Sequence, residues 1–340
     1  MRAVTPTVLC TLALPEPAPS LLAARAELVV LGRIPPPEEL RERLAGGVDV
    51  LCPQLRDRID AAVLDAGLPR LRAVCNYAVG YDNVDVPAAT ERGIVVTNTP
   101  GVLTDATADC AFGLMLAAAR RLCEGDHEMR AGRYPGWEPE YLLGLDLNGA
   151  TLGLVGFGRI GQAVAWRALA FHMNVIYSDE GSPPVPSDLA GKVSRVDFET
   201  LVREADVISL HTPLTDATRH LVDEDVLRAM KPTAVLVNTS RGPVIDEAAL
   251  VRALQSGWIA GAGLDVYERE PEMAPGLAEC RNAVLAPHLG SATVKTRAAM
   301  ARLCAENAVA ALQGTVPPTA LNPQAWASGG PPPLPAPDGA

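Results

Sequence analysis

Short apolar runs alternate with amphipathic stretches along almost the whole chain, and no other feature constrains the fold as tightly. The runs fall at 8–14, 28–31, 48–51, 73–75 and 94–97, and again at 151–155, 174–177, 207–210, 234–238, 261–264 and 283–286. Most are continuously apolar, so both faces of the sheets they form must be covered. That pattern predicts parallel strands joined by helical crossovers, an α/β chain. A long helical pattern, 105–130, separates the two series, with Ala108, Ala111, Leu114, Met115 and Ala118 at helical spacing. It suits a helix joining two domains. A final helix is predicted at 297–312; with no strand after it, it should return to pack on the first domain. The region between Gly181 and Arg195 offers no placeable element. The tail from Ser328, SGGPPPLPAPDGA, is rich in Pro and Gly and is expected to be disordered.

A chain of 340 residues has room for two domains of ordinary size, and 48% apolar content supplies their cores. The formal net charge of −11, with lysine only at 192, 231 and 295, argues against a nucleic-acid partner, because phosphate binding needs clustered cations. No stretch reaches the roughly 18 to 20 uninterrupted apolar residues of a membrane span, so no membrane partner is expected. The N-terminal MRAVTPTVLCTLALPEPAPS has a single arginine, a short apolar run, and prolines at 15 and 17. It reads as a first buried strand rather than a signal peptide. The seven cysteines (10, 52, 75, 110, 123, 280, 304) are scattered without a C-x-x-C pair. No metal site is expected, and reduced thiols in the cytoplasm are.

In TLGLVGFGRIGQAVA, Gly156, Gly158 and Gly161 form G-x-G-x-x-G between an apolar strand and a helix. Gly156 would permit the tight turn, Gly158 the approach of a pyrophosphate, and Gly161 the close packing of helix on strand. The helix N-terminus would face the anion. The next strand ends in Asp179, where a carboxylate can accept hydrogen bonds from a ribose. This is the pattern of a dinucleotide site. Hydride transfer to a carbonyl further requires a proton donor and a fixed cation near an anionic substrate. VLVNTSRGPVID supplies Arg241 just past a buried strand, GLDVYEREP supplies Asp265, Glu268 and Glu270, and LAPHLGSAT supplies His288, one of five histidines. All lie at strand C-termini, where open α/β sheets bind ligands.

Together these stretches resemble the D-isomer-specific 2-hydroxyacid dehydrogenases. The resemblance runs from about Leu28 to Asn322 and rests on NYAVGYDNVDV (76–86), TNTPGVLTDATAD (97–109), GFGRIGQ (156–162), NTSRGPVID (238–246), GLDVYEREP (263–271) and PHLGSAT (287–293). Within that family the glyoxylate/hydroxypyruvate reductases are most similar, through NYAVGYDN, GVLTDATAD and the GW…LLGLDLNG run at 136–149. The resemblance implies two doubly wound parallel-sheet domains. A Rossmann cofactor domain (101–288) would be inserted in a flavodoxin-like substrate domain (1–100 and 289–325), leaving 326–340 as a disordered tail.

It further implies that Arg241 binds the substrate carboxylate and polarises the keto oxygen. His288 would donate the proton, with Glu270 orienting it and raising its pKa. The N–H groups of Val79 and Gly80 would hold the other end of the carboxylate, and Leu55 would line the pocket. Asp265 would hold the nicotinamide carboxamide. Thr104 and Thr107 would sit near the nicotinamide, and Thr212, Pro213 and Thr239 along the cofactor, which Arg159, Ile160 and Gly290 would also bind. Trp137 would reach the neighbouring active site of a homodimer. The expected activity is reduction of a small 2-oxoacid to the D-2-hydroxyacid.

Asp179 and Glu180 favour NAD over NADP, since a 2′-phosphate would want an arginine there. The nearest downstream cations, Lys192 and Arg195, lie across a proline-rich stretch. The alternatives are another family member such as 3-phosphoglycerate dehydrogenase, which often carries a regulatory domain and needs extra cations, and a non-enzymatic NAD-sensing corepressor. The complete Arg–Glu–His set favours the enzyme.

Overall fold

The computed structural model describes residues 5–327 and 330–335. The chain divides into two compact units, Met1–Leu103 with Thr293–Ala340, and Thr104–Ala292. Each contains one sheet, and every ladder in both is parallel.

The first unit holds β1 (Thr7–Cys10), β2 (Glu27–Val30), β3 (Val50–Cys52), β4 (Ala73–Cys75) and β5 (Val95–Thr97) in the order β2-β1-β3-β4-β5. That is the flavodoxin-like order. Leu9, Leu51, Val74 and Val96 pack one face against Leu40, Leu44 and Leu64 from the crossover helices. The final helix, Val294–Leu312, packs with the Ala18–Ala23 helix and with β3, β4 and β5 of this unit, as its lack of a following strand implied.

The second unit holds β6 (Thr151–Val155), β7 (Asn174–Ser178), β8 (Val193–Arg195), β9 (Val207–Leu210), β10 (Val235–Asn238), β11 (Gly261–Leu264) and β12 (Ala283–Leu285). Their order is β12-β11-β10-β9-β6-β7-β8, the doubly wound Rossmann order with one strand added. Alternate residues of one strand belong to different cores. Val207, Val235 and Val237 pack with Met115 and Val164, whereas Ile208 and Leu236 pack with Leu227 and Leu250. Both faces are buried, hence the continuous apolar runs. Each such side chain contributes about 1.5–3 kcal/mol by its burial.

Three expectations need correction. The helix expected over 105–130 is two helices, Thr104–Ala119 and Leu122–Arg130, with Arg121 left-handed at φ 53°. The carbonyl of Ala119 accepts the N–H of Leu145 at 2.8 Å instead of continuing the helical ladder. A strand unforeseen in the sequence, β8, forms at the sheet edge. The tail expected to be disordered from 326 is docked where it is described. Trp326 is 5% exposed and donates its indole N–H to Gly93 O at 2.9 Å, and Arg72 reaches Pro332 O at 3.0 Å. A large ring and orphan carbonyls supply the contacts that composition hides; residues 328–329 and 336–340 lie outside the described residues. Four of the seven cysteines, Cys10, Cys52, Cys75 and Cys304, come together in the first unit. Cys10 and Cys52 are register partners, and Cys304 donates its thiol to Cys75 O at 3.3 Å. Hydrogen bonds with Cys10, Cys304 and Cys75, and then burial, push the Cys52 thiol up. These buried thiols pack as small hydrophobes.

Candidate active site

The phosphate loop follows β6. Gly156 is left-handed at φ 92°, and a Cβ there would lie 2.7 Å from the carbonyl oxygen of His211. A Cβ on Gly161 would lie 2.3 Å from Gly156 O, so the helix Arg159–Ala170 can start this close to the strand only through glycine. On Gly158 a Cβ would meet nothing, which leaves that face open beside Arg159 and Ile160 at the helix start. Past β9 and β10, the hydroxyls of Thr212 and Thr239 are buried with no hydrogen-bond partner among the described residues. Open glycine, helix N-terminus and two orphan hydroxyls at successive strand ends fit a dinucleotide. His211, beside the loop, is no cation for it, because burial pushes its pKa down to about 4. Pro213 follows Thr212, and its carbonyl accepts from Thr218 at 2.6 Å.

At the end of β7, the Asp179 carboxylate accepts the N–H groups of Phe157 (2.7 Å) and Gly181 (2.8 Å), so it is fixed against the phosphate loop. A cavity of about 680 Å³ opens there, lined by Asp179, Glu180, Arg195 and Thr200 among others. The sequence placed Arg195 out of reach. The structure puts its guanidinium on the Asp179 carbonyl (2.5 Å) and on Ser182 Oγ (2.6 Å), because β8 runs beside β7.

The three acids after β11 separate into three tasks. Asp265, 1% exposed, accepts the N–H groups of Leu289 (2.5 Å) and Gly290 (2.7 Å), while its own carbonyl accepts from His288 N at 3.0 Å. Burial raises its pKa, and those two N–H groups oppose the rise. It pins the turn after β12, and each oxygen keeps a second lone pair for another donor. Gly290 in that turn faces Thr107, whose hydroxyl would lie 3.6 Å from a Cβ at 290. Glu268 pairs with His220 at 3.0 Å. Glu270 accepts Tyr267 N–H at 3.2 Å and bonds His288 Nδ1 at 2.9 Å.

His288 itself sits at φ 56°, a conformation uncommon outside glycine that the Asp265 contacts over-determine. With Nδ1 committed to Glu270, Nε2 is the atom left to carry a transferable proton. Burial would raise the Glu270 pKa. The hydrogen bond and charge of His288, the Tyr267 N–H and the Arg241 charge outweigh it and hold the carboxyl below its usual value. Glu270 is therefore ionised at neutral pH. Arg241 follows β10 in an extended conformation, its Nη1 on Ser240 O at 2.8 Å. Asn238 shapes this turn: its amide donates to Arg241 O at 2.8 Å and its oxygen accepts Ser240 N and Oγ at 2.9 and 2.8 Å. It stands in the quoted motif without an assigned role, and an Asn ending a buried strand before a Ser is the signal that could have found it.

Glu270→Gln should shift the pH profile for reduction toward acid. The variant keeps the shape of the Nδ1 partner but loses the negative charge that Glu270 holds there. Steady-state rates across pH 5–9 would check this, and an unchanged profile would remove Glu270 from that task.

All of these residues belong to the second unit, and Asp179, Thr212, Thr239, Arg241, Asp265 and His288 follow the C-terminal ends of its strands. Leu55, Val79 and Gly80 belong to the first unit, after β3 and β4. Thr104 opens the helix Thr104–Ala119, and Trp137 is 83% exposed in the loop before β6.

Residues 112–290 match the family model described as D-isomer specific 2-hydroxyacid dehydrogenase, NAD binding domain. The chain is 51% identical over 294 residues to a glyoxylate reductase of Thermococcus litoralis, covering 85% of this chain and 88% of that one. Among solved structures, a protein from Thermus thermophilus superposes with a TM-score of 0.85 at 48% identity, over 93% of this chain and 99% of that one. An NADPH-dependent glyoxylate/hydroxypyruvate reductase from Sinorhizobium meliloti, solved with NADP and malonate, gives 0.82 at 36% identity over 94% and 98%. The fold, the phosphate loop and these likenesses define a nicotinamide-dependent oxidoreductase. More narrowly, the chain belongs to the D-isomer-specific 2-hydroxyacid dehydrogenases.

Proposed function

We propose that this enzyme reduces glyoxylate, hydroxypyruvate or a similarly small 2-oxoacid to the D-2-hydroxyacid. The observation that carries the proposal is the 2.9 Å His288–Glu270 pair in the same unit as the phosphate loop and Arg241. The names of the similar reductases support the substrate class. Bound nicotinamide supplies the hydride. Arg241 binds the substrate carboxylate through its planar fork and draws charge from the keto oxygen. His288 gives the proton at Nε2 to that oxygen as the alkoxide develops, and Glu270 stabilises the imidazolium until then. From the first unit, the N–H groups of Val79 and Gly80 are assigned the substrate carboxylate and Leu55 the pocket wall. A steady-state comparison of 2-oxoacids with NADH tests the substrate class; turnover confined to large or phosphorylated acids would overturn it.

The preferred cofactor in this proposal is NADH, supported by the fixed Asp179 carboxylate at the end of β7. The cytoplasm is proposed as the compartment, supported by seven free cysteines; no described helix is long and apolar enough to cross a membrane. A homodimer is proposed from exposed apolar side chains on the helix Leu122–Arg130 and the loop after it: Leu122, Met129, Trp137 and Leu143. Light scattering at micromolar concentration should give twice the chain mass, and a monomeric mass would overturn this assembly.

A further inference from the structure

Three consecutive peptide carbonyls after β4 are each held by a donor from the ends of β4 and β5. The Ala78 carbonyl accepts the N–H of Thr99 at 2.8 Å, the Val79 carbonyl accepts Nδ2 of Asn98 at 2.8 Å, and the Gly80 carbonyl accepts Nδ2 of Asn76 at 2.9 Å. In a planar trans peptide, the N–H of the next residue points opposite to the carbonyl. The N–H groups of Val79, Gly80 and Tyr81 are therefore each turned away from the donor that fixes their own peptide. None of the three donates a hydrogen bond among the described residues. The carbonyl side is buried, with Asn76 and Thr99 at 0% exposure, whereas Tyr81 is exposed. A run of oriented, unused N–H groups backed by buried polar side chains favours an anion.

The two amides are themselves held. Asn76 and Asn83 exchange amide hydrogen bonds at 3.2 Å, and Asn83 also donates to Gln54 O and Asp57 O at 3.1 Å. Asn98 is fixed through its backbone: its carbonyl accepts the Thr319 hydroxyl at 2.6 Å. Thr319 is gripped by Asn307, on the helix Val294–Leu312, which donates to that hydroxyl at 2.7 Å and accepts Thr319 N–H at 3.1 Å. Asn307 is fully buried, an unusual site for an amide on a helix unless it is paired.

We infer that Asn98 and Asn76 are positioning residues for substrate carboxylate binding. They act by fixing the peptide planes of residues 78–81, and the Asn307–Thr319 pair transmits rigidity from the C-terminal helix to Asn98. The inference rests on the proposed assignment of Val79 and Gly80 to the substrate carboxylate, and it adds Tyr81 N–H as a third donor.

Asn98→Asp tests it, since the shape is kept while the donor to Val79 O becomes a repelling acceptor. The expected result is a KM for glyoxylate raised about tenfold to a hundredfold, with kcat within about threefold. The inhibition constant of acetate should rise by the same factor. The dissociation constant of NADH and Tm should stay near wild type, because the phosphate loop belongs to the other unit. In 15N spectra of the wild type, acetate should move the amide signals of Val79, Gly80 and Tyr81, and in Asn98→Asp it should not. Should Asn98→Asp fail to fold, Thr319→Val should show a smaller KM rise of the same sign. Unchanged KM and acetate shifts in a folded variant would overturn the inference, and so would a parallel loss of kcat, KM and NADH binding. A wild type that reduces no 2-oxoacid yet shows the acetate shifts would overturn the proposed function and leave the positioning role standing.

Discussion

Replacing His288 by Gln should give a folded protein whose kcat for 2-oxoacid reduction falls on the order of 10²–10⁴-fold, the usual effect of losing a general acid. The glutamine can still reach Glu270, so the turn after β12 keeps its Asp265 clamp and the fold should survive. What disappears is the proton carried at Nε2. NADH binding should be near wild type, because no loop glycine and neither orphan hydroxyl has been touched. Near-wild-type turnover in His288→Gln would remove the residue from the mechanism. Loss of NADH binding and Tm together would show that its left-handed backbone is structural rather than preparatory.

The second large effect is in cofactor choice. In the proposed site Asp179 and Glu180 would repel a 2′-phosphate, and two like charges in a partly desolvated crevice cost on the order of 1–3 kcal/mol at an effective dielectric constant near 20. Alone, that is roughly a ten- to hundredfold preference for NADH. The structure tempers it, because Arg195 stands on the Asp179 carbonyl and on Ser182 instead of lying beyond a proline-rich stretch. A preference near the lower end, about tenfold in kcat/KM, is therefore expected. Asp179→Ala with Glu180→Arg should narrow or reverse it, and Arg195→Gln should widen it. Equal kcat/KM for NADH and NADPH in the wild type would contradict the assignment of Asp179 to the ribose.

The two effects were legible to different degrees in the sequence, for a physical reason. Strands buried on both faces announce themselves as apolar runs, so β4, β6, β9 and β11 fall on the residues expected. An edge strand pairs on one side only and needs no such run. Val193 is half-buried and Ser194 and Arg195 are exposed, so β8 left no trace, and with it went the place of Arg195. The break after Ala119 depends on Leu145, twenty-six residues later, which no local periodicity contains. Trp326 docks on a glycine carbonyl more than two hundred residues earlier, invisible to a composition argument.

In the candidate site, the glycines and Asp179 were readable because strand, turn, helix and strand follow one another directly in the chain at a fixed spacing. The pairing of His288 with Glu270 rather than with Asp265 or Glu268 was not, since strand-end acids only two to five residues apart differ in direction rather than in pattern. Only the resemblance to a family supplied it. Asn98 and Asn76 were quoted in motifs yet given no task, because what they hold is a backbone carbonyl reached through the fold.

The most direct measurement is the chirality of the product when the wild-type enzyme reduces hydroxypyruvate with NADH. Turnover that yields D-glycerate, and is lost in His288→Gln, is the expected result. L-Glycerate, or no NADH consumption with any small 2-oxoacid, would contradict the proposed function.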